Sequence, residues 1–280
     1  MARMQLIINP DEERTLDRSR RAAVERVLRA MRIEVDGRLS LDDLAEIACL
    51  SPFHFTRVFR GVTGIPPGRF QTALKIDRAK ALLLATDQPV TEICYAVGYE
   101  SLGTFTTRFT SLVGVSPGRL RRLPHEFSSS DGSGARFEEH ELRGPVLPGE
   151  IRGRVVAQEP RGLTFIGLFP EGIAQSMPVA GVVLPEPGIF RLQGVPDQRY
   201  HLLVAALPIG ADLHQSLLPG TDLRVGHAPQ PITVQRGRSC EPTTILLRPP
   251  LPTEPPVVVA LAAELLVSAA RSSQSRHGAA

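Results

Sequence analysis

The sequence predicts a multidomain α + β protein, with an all-α region in front and an antiparallel β-sandwich with a terminal helix behind it. Apolar side chains recur at three- and four-residue steps up to about residue 124. Across most of residues 149–270, short apolar runs alternate with turn residues, among which proline is frequent. The intervening stretch at 128–134 reads Ser-Ser-Ser-Asp-Gly-Ser-Gly, a composition typical of a flexible linker. We therefore expect domains at 1–124 and 149–270, a linker at 125–148 and a disordered tail at 271–280.

The helical region begins with an amphipathic segment at 17–35, which Gly37 ends. A short helix at 41–48 follows. Ser40 is its expected N-cap, and Asp43 lies in the first turn, where negative charge is favoured.

An internal repeat is the most informative feature of the sequence. From position 51 onward the second copy follows the first at an offset of 50 residues, and just upstream the offset is 49. The second copy therefore has one extra residue in the intervening turn. The matched pairs are Ser51 and Ser101, Phe55 and Phe105, Phe59 and Phe109, Gly64 and Gly114, and Pro67-Gly68-Arg69 and Pro117-Gly118-Arg119.

Each copy has the order of a homeodomain-like helix-turn-helix unit. A short apolar-faced helix leads into a tight turn, and a second helix begins at a serine and ends at a glycine. The paired phenylalanines lie at helical spacing within the second helix, which indicates core residues rather than an aromatic stacking platform.

A continuous helical pattern at 69–86 connects the two units, with Leu74, Ala81 and Leu84 expected to face inward. At 1.5 Å per residue this helix would be about 27 Å long. The second helix of each copy is therefore expected to enter its own major groove. Successive major grooves lie about 34 Å apart on one face of DNA.

The residues between the apolar stripes are expected to face outward, toward a polyanion. Residues 1–125 contain 19 basic and 14 acidic side chains, whereas residues 126–280 contain 13 and 15. The outward residues are Phe53, His54, Thr56, Arg57 and Arg60 in copy one, and Leu102, Gly103, Thr106, Thr107 and Thr110 in copy two. The candidates for phosphate contact are His54, Arg60, Arg69, Arg108, Arg119, Arg121 and Arg122.

These residues resemble the DNA-binding region of the AraC/XylS family of transcription regulators. The resemblance covers about 17–122 and rests on LSPFHFTRVFRGVTGIPPGRF at 50–70 and VTEICYAVGYESLGTFTTRFTSLVGVSPGRLRR at 90–122. It implies a sequence-specific regulator. The family's base-contacting positions fall on Phe53, Thr56 and Arg57 in the first unit and on Leu102, Gly103, Thr106 and Thr107 in the second.

The chain departs from the family pattern in two respects. Phe53 and Leu102 are apolar and Gly103 has no side chain, whereas the family commonly has polar residues there, so we expect the second unit to contribute mostly affinity. Family members usually carry this region behind an effector-binding domain. Here it stands in front, and an effector role for the rear domain does not carry over.

The rear domain resembles the transthyretin-like, carboxypeptidase-regulatory type of β-sandwich at 188–204. There a Phe-x-Leu strand, a Gly-Val-Pro turn and a Tyr-x-Leu-x-Val strand follow one another. Such domains bind or scaffold, which implies no reaction. A terminal helix is expected at 256–270. The apolar runs expected as strands are 154–156, 163–169, 181–184, 190–192, 200–206, 232–234 and 243–247.

No pattern in the sequence predicts an enzyme, a metal site or a cofactor. Nucleophile-elbow, zinc-protease and phosphate-loop motifs are missing, and the spacing of His201, His214, His227 and Cys240 fits no short zinc motif. Three cysteines without CxxC spacing are typical of a reducing compartment. We expect a soluble, cytoplasmic chain with no membrane partner, because there is no signal-peptide pattern and the longest apolar run, of about 14 residues, is too short to span a bilayer.

Two functions remain open at this point. In the first, the chain is a transcription regulator, such as an activator, that binds double-stranded operator or promoter DNA and works with RNA polymerase. Its sandwich would sense a small-molecule effector or mediate self-association. In the alternative, the chain is an interaction or scaffold protein whose sandwich docks a protein or carbohydrate, and the helical half serves as a tether.

Overall fold

The computed structural model describes residues 10–36, 39–128, 140–142, 149–211, 217, 222–236 and 243–260. These residues divide into two compact units. The first contains the residues up to Leu74 together with Leu251–Pro255, and the second contains Lys75–Pro250 and the residues from Pro256 onward. This division falls within a helix, whereas the sequence predicted a boundary in the segment 125–148.

The helices follow the sequence prediction in type, although the first begins at residue 10, seven residues before the predicted amphipathic segment. Those described are α1 (Pro10–Ile33), α2 (Leu41–Ala48), α3 (Pro52–Thr63), α4 (Pro67–Ala85), α5 (Val90–Ala96), α6 (Leu102–Val113) and α7 (Pro117–Ser128). Helix α2 begins in a capping box, in which Asp43 N–H donates to Ser40 Oγ and Ser40 N–H donates to Asp43 Oδ2. Hydrogen bonds from Ser40 hold the pKa of the Asp43 carboxyl below its ordinary value.

The buried face of α4 differs from the prediction. Leu74, Ala81 and Leu84 are only half-buried. Leucine occupies three successive positions, 82–84, so periodicity alone did not indicate which leucine faces inward. The burial of a lysine on this face was not predicted either. The residues of α4 after Phe70 that are fully buried are Ala73, Ile76, Ala79, Lys80 and Leu83.

The described chain after residue 149 is built mainly of strands and the loops between them. Each of the seven apolar runs expected as strands overlaps a strand, and the runs at 163–169, 232–234 and 243–247 extend one residue beyond it. The strands at 140–142 and 224–227 were not predicted. The described strands are β1 (His140–Leu142), β2 (Glu150–Val156), β3 (Thr164–Phe169), β4 (Ala180–Leu184), β5 (Ile189–Gln193), β6 (Arg199–Ala206), β7 (Arg224–His227), β8 (Ile232–Thr233) and β9 (Thr243–Leu246).

The strands form two sheets. The larger has the order β1-β4-β3-β6-β7, with β8 also pairing with β6, and its neighbours are antiparallel. The smaller has the order β5-β2-β9; β2 and β5 are antiparallel, but β2 and β9 are parallel, with Val155 opposite Ile245. The expectation of purely antiparallel sheets was wrong for this pair, because a long connection between β2 and β9 leaves the strand direction free of any hairpin constraint.

One apolar cluster takes side chains from both sheets. The smaller sheet contributes Val155 and Phe190, and the larger contributes Ile166 and Leu202. Gly153 on β2 lies against this cluster, and a Cβ there would be 2.6 Å from the Phe190 ring and 2.5 Å from a β9 carbonyl oxygen. The strand-turn-strand pattern at 188–204 is present as β5 and β6, which belong to different sheets.

The predicted terminal helix at 256–270 is wrong at its beginning. Residues 256–260 are not helical, because the backbone N–H groups of residues 258–260 donate to the carbonyls of Ala174 and Val113 rather than to carbonyls four residues earlier. Three successive valines also favour an extended backbone. The rest of that prediction, and the predicted tail at 271–280, lie outside the described residues.

The segment predicted as a linker at 125–148 has two described parts, and each belongs to a regular element. Helix α7 continues to Ser128, four residues beyond the predicted domain boundary. Strand β1, at 140–142, pairs with β4.

Candidate nucleic-acid interface

The turn between the two helices has the same hydrogen-bond pattern in both copies of the repeat. In the first copy Cys49 is left-handed, with φ 57°, and Cys49 N–H donates to Glu46 O at 2.8 Å while Leu50 N–H donates to Ala45 O at 3.0 Å. The turn thereby directs the chain from α2 into α3. In the second copy Gly98 has φ 75°, and the equivalent bonds join Gly98 N–H to Tyr95 O and Tyr99 N–H to Cys94 O, each at 3.0 Å.

Aromatic packing anchors the second helix of each copy. In α3 the Phe55 and Phe59 rings meet edge-on at 5.5 Å, and Phe59 meets Phe70 at 5.7 Å. In α6 the Phe105 and Phe109 rings are 5.5 Å apart. Since all five rings are fully buried, the prediction that the repeated phenylalanines are core residues is confirmed. Their burial fixes which side of each helix faces outward.

The residues predicted to contact bases lie on the opposite side of the two helices. In α3 Phe53 is 82% exposed and Arg57 is exposed, while Thr56 is half-buried and donates from Oγ1 to Pro52 O at 2.9 Å. In α6 the exposed residues are Leu102, Gly103 and Thr107, and Thr106 is half-buried.

Most residues predicted to contact phosphate are also accessible. Arg60, Arg69, Arg108 and Arg122 are exposed, and Arg119 is half-buried. No aspartate or glutamate occurs in the sequence at 51–76 or at 101–125. The second helix of each copy and the segment after it therefore carry positive charge without carboxylates of their own, which suits a surface that meets a phosphate backbone.

Two of the predicted phosphate contacts have surroundings that the sequence did not indicate. Arg121 is half-buried, and its guanidinium donates to Leu83 O at 3.2 Å and to Gln88 O at 2.6 Å, which holds the end of α4. His54 is half-buried, and its Nε2 has no hydrogen-bond partner among the described residues.

The comparisons with known proteins concern the region of the repeat. The profile of a helix-turn-helix domain family matches residues 44–123. The MmsAB operon regulatory protein of Pseudomonas aeruginosa is 37% identical over 92 residues, which cover 33% of this chain and 30% of the relative. The HTH-type transcriptional activator AarP of Providencia stuartii is 34% identical over 84 residues, which cover 30% of this chain and 62% of the relative. Residues 44–123 form a helix-turn-helix domain similar to those of these transcription regulators.

A solved structure with similarity to this helix-turn-helix domain is the C-terminal domain of AraT, a response regulator from Geobacillus stearothermophilus. It shares 32% identity, covers 36% of this chain and 84% of that domain, and has a TM-score of 0.34. A score of this size adds no weight to the sequence comparison. The chain spans 30% and 62% of the two relatives' lengths, so the matches concern the helix-turn-helix domain and not the whole chain.

The sequence reasoning overlooked Lys75, which supports the turn of the second helix-turn-helix unit. Its Nζ donates to Gly98 O at 3.3 Å and lies 5.6 Å from the centre of the Tyr99 ring. A signal was available in the composition: Lys75 and Lys80 are the two lysines of the whole sequence, and both lie in α4.

The described part of the chain offers little support for a metal site or a membrane-spanning helix. It contains no group of three or more His, Cys, Asp or Glu side chains placed to hold a metal ion. His201 and His227 are described, whereas His214 and Cys240 lie outside the described residues. None of the described helices combines the length and apolar character needed to cross a membrane.

Proposed function

We propose that the chain is a sequence-specific transcription regulator, in which α3 and α6 each place their outward residues in a major groove of double-stranded DNA. The duplicated helix-turn-helix, with two anchored helices that carry no carboxylates, is the observation that supports this function. The proposed base contacts are the predicted ones, Phe53, Thr56 and Arg57 in α3 and Leu102, Gly103, Thr106 and Thr107 in α6.

The two helices differ in what they offer to DNA. Arg57 can donate two hydrogen bonds to a guanine. On α6 the exposed Thr107 can meet a base edge or a thymine methyl group. We therefore assign most of the direct readout to α3. Arg60, Arg69, Arg108, Arg119 and Arg122 are the phosphate contacts, and we expect Arg121 to contribute little because its guanidinium holds backbone carbonyls.

The remaining parts of the proposal concern the rest of the chain. The two sheets with a common apolar cluster support a β-sandwich of the transthyretin-like type. This region would regulate the helix-turn-helix domain by binding a small-molecule effector or by self-association. RNA polymerase would be the protein partner of an activator, and a DNA-binding regulator of this kind would work in the cytoplasm.

Selection of bound duplexes from a random pool by the purified full chain tests the function. A preferred sequence with two half-sites is expected. On that sequence Arg57→Ala should weaken binding by about 1–3 kcal/mol, or roughly 5- to 150-fold, and relax the preference at one position of one half-site.

Arg18→Ala is the matched control, because Arg18 is an exposed arginine on α1, outside the repeat. It should leave the selected sequence unchanged. Failure of the full chain to select any sequence over the random pool would contradict the function. Selection that Arg57→Ala leaves intact would contradict the assigned face of α3.

A further inference from the structure

The sequence uses arginine almost exclusively for positive charge, with two lysines among 32 basic residues. Lys80 is one of them, and its side chain is fully buried. Burial lowers the pKa of Lys80, since an ammonium group loses its hydration there. Asp77 Oδ1 lies 4.0 Å from Lys80 Nζ, and Nζ donates to Val257 O at 3.0 Å. Lys80 therefore donates to the Val257 carbonyl from a buried position that disfavours a charged group.

That carbonyl belongs to an extended segment, residues 256–260, which we call the strap. Val258 and Val259 N–H both donate to Ala174 O, at 3.0 and 3.1 Å, and Ala260 N–H donates to Val113 O at 2.9 Å. Val258 and Ala260 are fully buried. The strap is thus bonded to α4, to the loop after β3 and to the last residue of α6.

The carbonyl end of α6 is completed from outside the helix-turn-helix. The last carbonyls of a helix have no partner within the helix. In α6, Leu112 O accepts from Ser176 N–H at 2.7 Å, and Val113 O accepts from Ala260 N–H. Among the described residues, no backbone N–H from beyond the cap serves the corresponding carbonyls of α3. The two copies of the repeat therefore differ in how their second helix is held.

We propose that the strap, fastened by Lys80, positions α6 for DNA, so that the second half-site is bound well only while residues 256–260 are seated. The proposal rests on the proposed function, in which α6 contacts DNA, and it adds a route by which the rear of the chain controls one of the two units. Lys80 is a positioning residue here, since it acts on α6 through the strap.

Two shortened chains form a matched pair for the test. A chain that ends at Pro255 lacks the strap, and a chain that ends at Ala260 keeps it and lacks only the residues beyond. Hydrogen exchange at the amides of Val113 and Gly114 reports on the end of α6, and the Gly64 amide reports on α3. Footprinting on the selected duplex reports on each half-site separately.

The chain ending at Ala260 should behave like the full chain. In the chain ending at Pro255, exchange at the end of α6 should be about 10-fold faster, with exchange at Gly64 unchanged, because α6 loses a hydrogen bond and the strap no longer packs. Protection of one half-site should weaken by a similar factor. Lys80→Met in the full chain retains the side-chain volume and removes the bond to Val257 O. It should speed exchange at the end of α6 and weaken protection of that half-site, each by about 3-fold.

Unchanged exchange at Val113 and Gly114 in both the Pro255 chain and Lys80→Met would overturn the proposal. If the Pro255 chain unfolds as a whole, Lys80→Met decides the question. If even the full chain selects no DNA sequence, the proposed function fails, whereas the exchange measurements still decide whether the strap holds α6.

Discussion

The repeat places a cysteine in one turn where the other turn has glycine, and this difference predicts a stabilising substitution. Cys49 and Gly98 occupy equivalent positions, with φ 57° and 75°. A non-glycine residue in the left-handed region costs about 1–2 kcal/mol. Glycine in turn lowers the free energy of unfolding by about 0.4–1 kcal/mol, because it raises the entropy of the unfolded chain. Because Cys49 is exposed and little packing is lost, Cys49→Gly should stabilise the first unit by about 0.5–1 kcal/mol.

Native-state hydrogen exchange in the full chain measures this locally, through the opening free energy at the amide of Phe59. Cys49→Ala is the control, since alanine keeps the Cβ that causes the strain and should change the opening free energy by no more than a few tenths of a kcal/mol. A lower opening free energy in Cys49→Gly, or an equal gain in Cys49→Ala, would refute the reasoning from backbone conformation.

Three further predictions concern the caps, the core and the histidine of β6. Gly64→Ala and Gly114→Ala should each lower the free energy of unfolding in urea by about 1 kcal/mol, because both glycines are left-handed. A Cβ has room at both positions, and the nearest atom at Gly114 is Met177 Sδ at 3.5 Å, so equal losses are expected. A loss of stability at Gly114 alone would implicate packing. Phe109→Ala should cost about 3–5 kcal/mol by the same assay, and a loss under 1 kcal/mol would contradict its place in the core. Burial, with Arg199 and His227 nearby, lowers the pKa of His201. The folded state then binds a proton less readily than the unfolded state, so stability present above about pH 6.5 is lost as pH falls. His201→Gln should lessen the drop in urea midpoint between pH 7.5 and pH 5, and an unchanged drop would show that other groups cause it.

The parts of the structure that the sequence predicted are those with local causes. Ser40 and Asp43 form a capping box within four residues, and the glycines that end α3 and α6 act on their own helix. The phenylalanines at positions 55 and 59 lie one helical turn apart, which is enough to identify the inward face. The candidate DNA-binding face is the side of the helix opposite that inward face, so the sequence alone was enough to propose the outward residues.

The parts that were missed depend on partners far away in the sequence. A lysine in an amphipathic helix is normally solvated, and nothing near Lys80 in the sequence indicates that Val257 O lies within reach. Likewise, the apolar run after Pro256 fits a buried helix and an extended strap equally well until its hydrogen-bond acceptors are known. Arg121 has the same difficulty, since its acceptors lie 33 and 38 residues earlier in the chain.

The parallel pairing of β2 with β9 has a consequence for biosynthesis. A ribosome must translate through residue 246, some 90 residues after β2, before the smaller sheet can gain its third strand. The first compact unit is completed later still, because Arg32 in that unit donates to Pro252 O at 2.6 Å. Contacts of such long sequence separation slow folding. The nascent protein can therefore form its helices from local contacts, but the smaller sheet must wait for residue 246 and the first compact unit for residue 252.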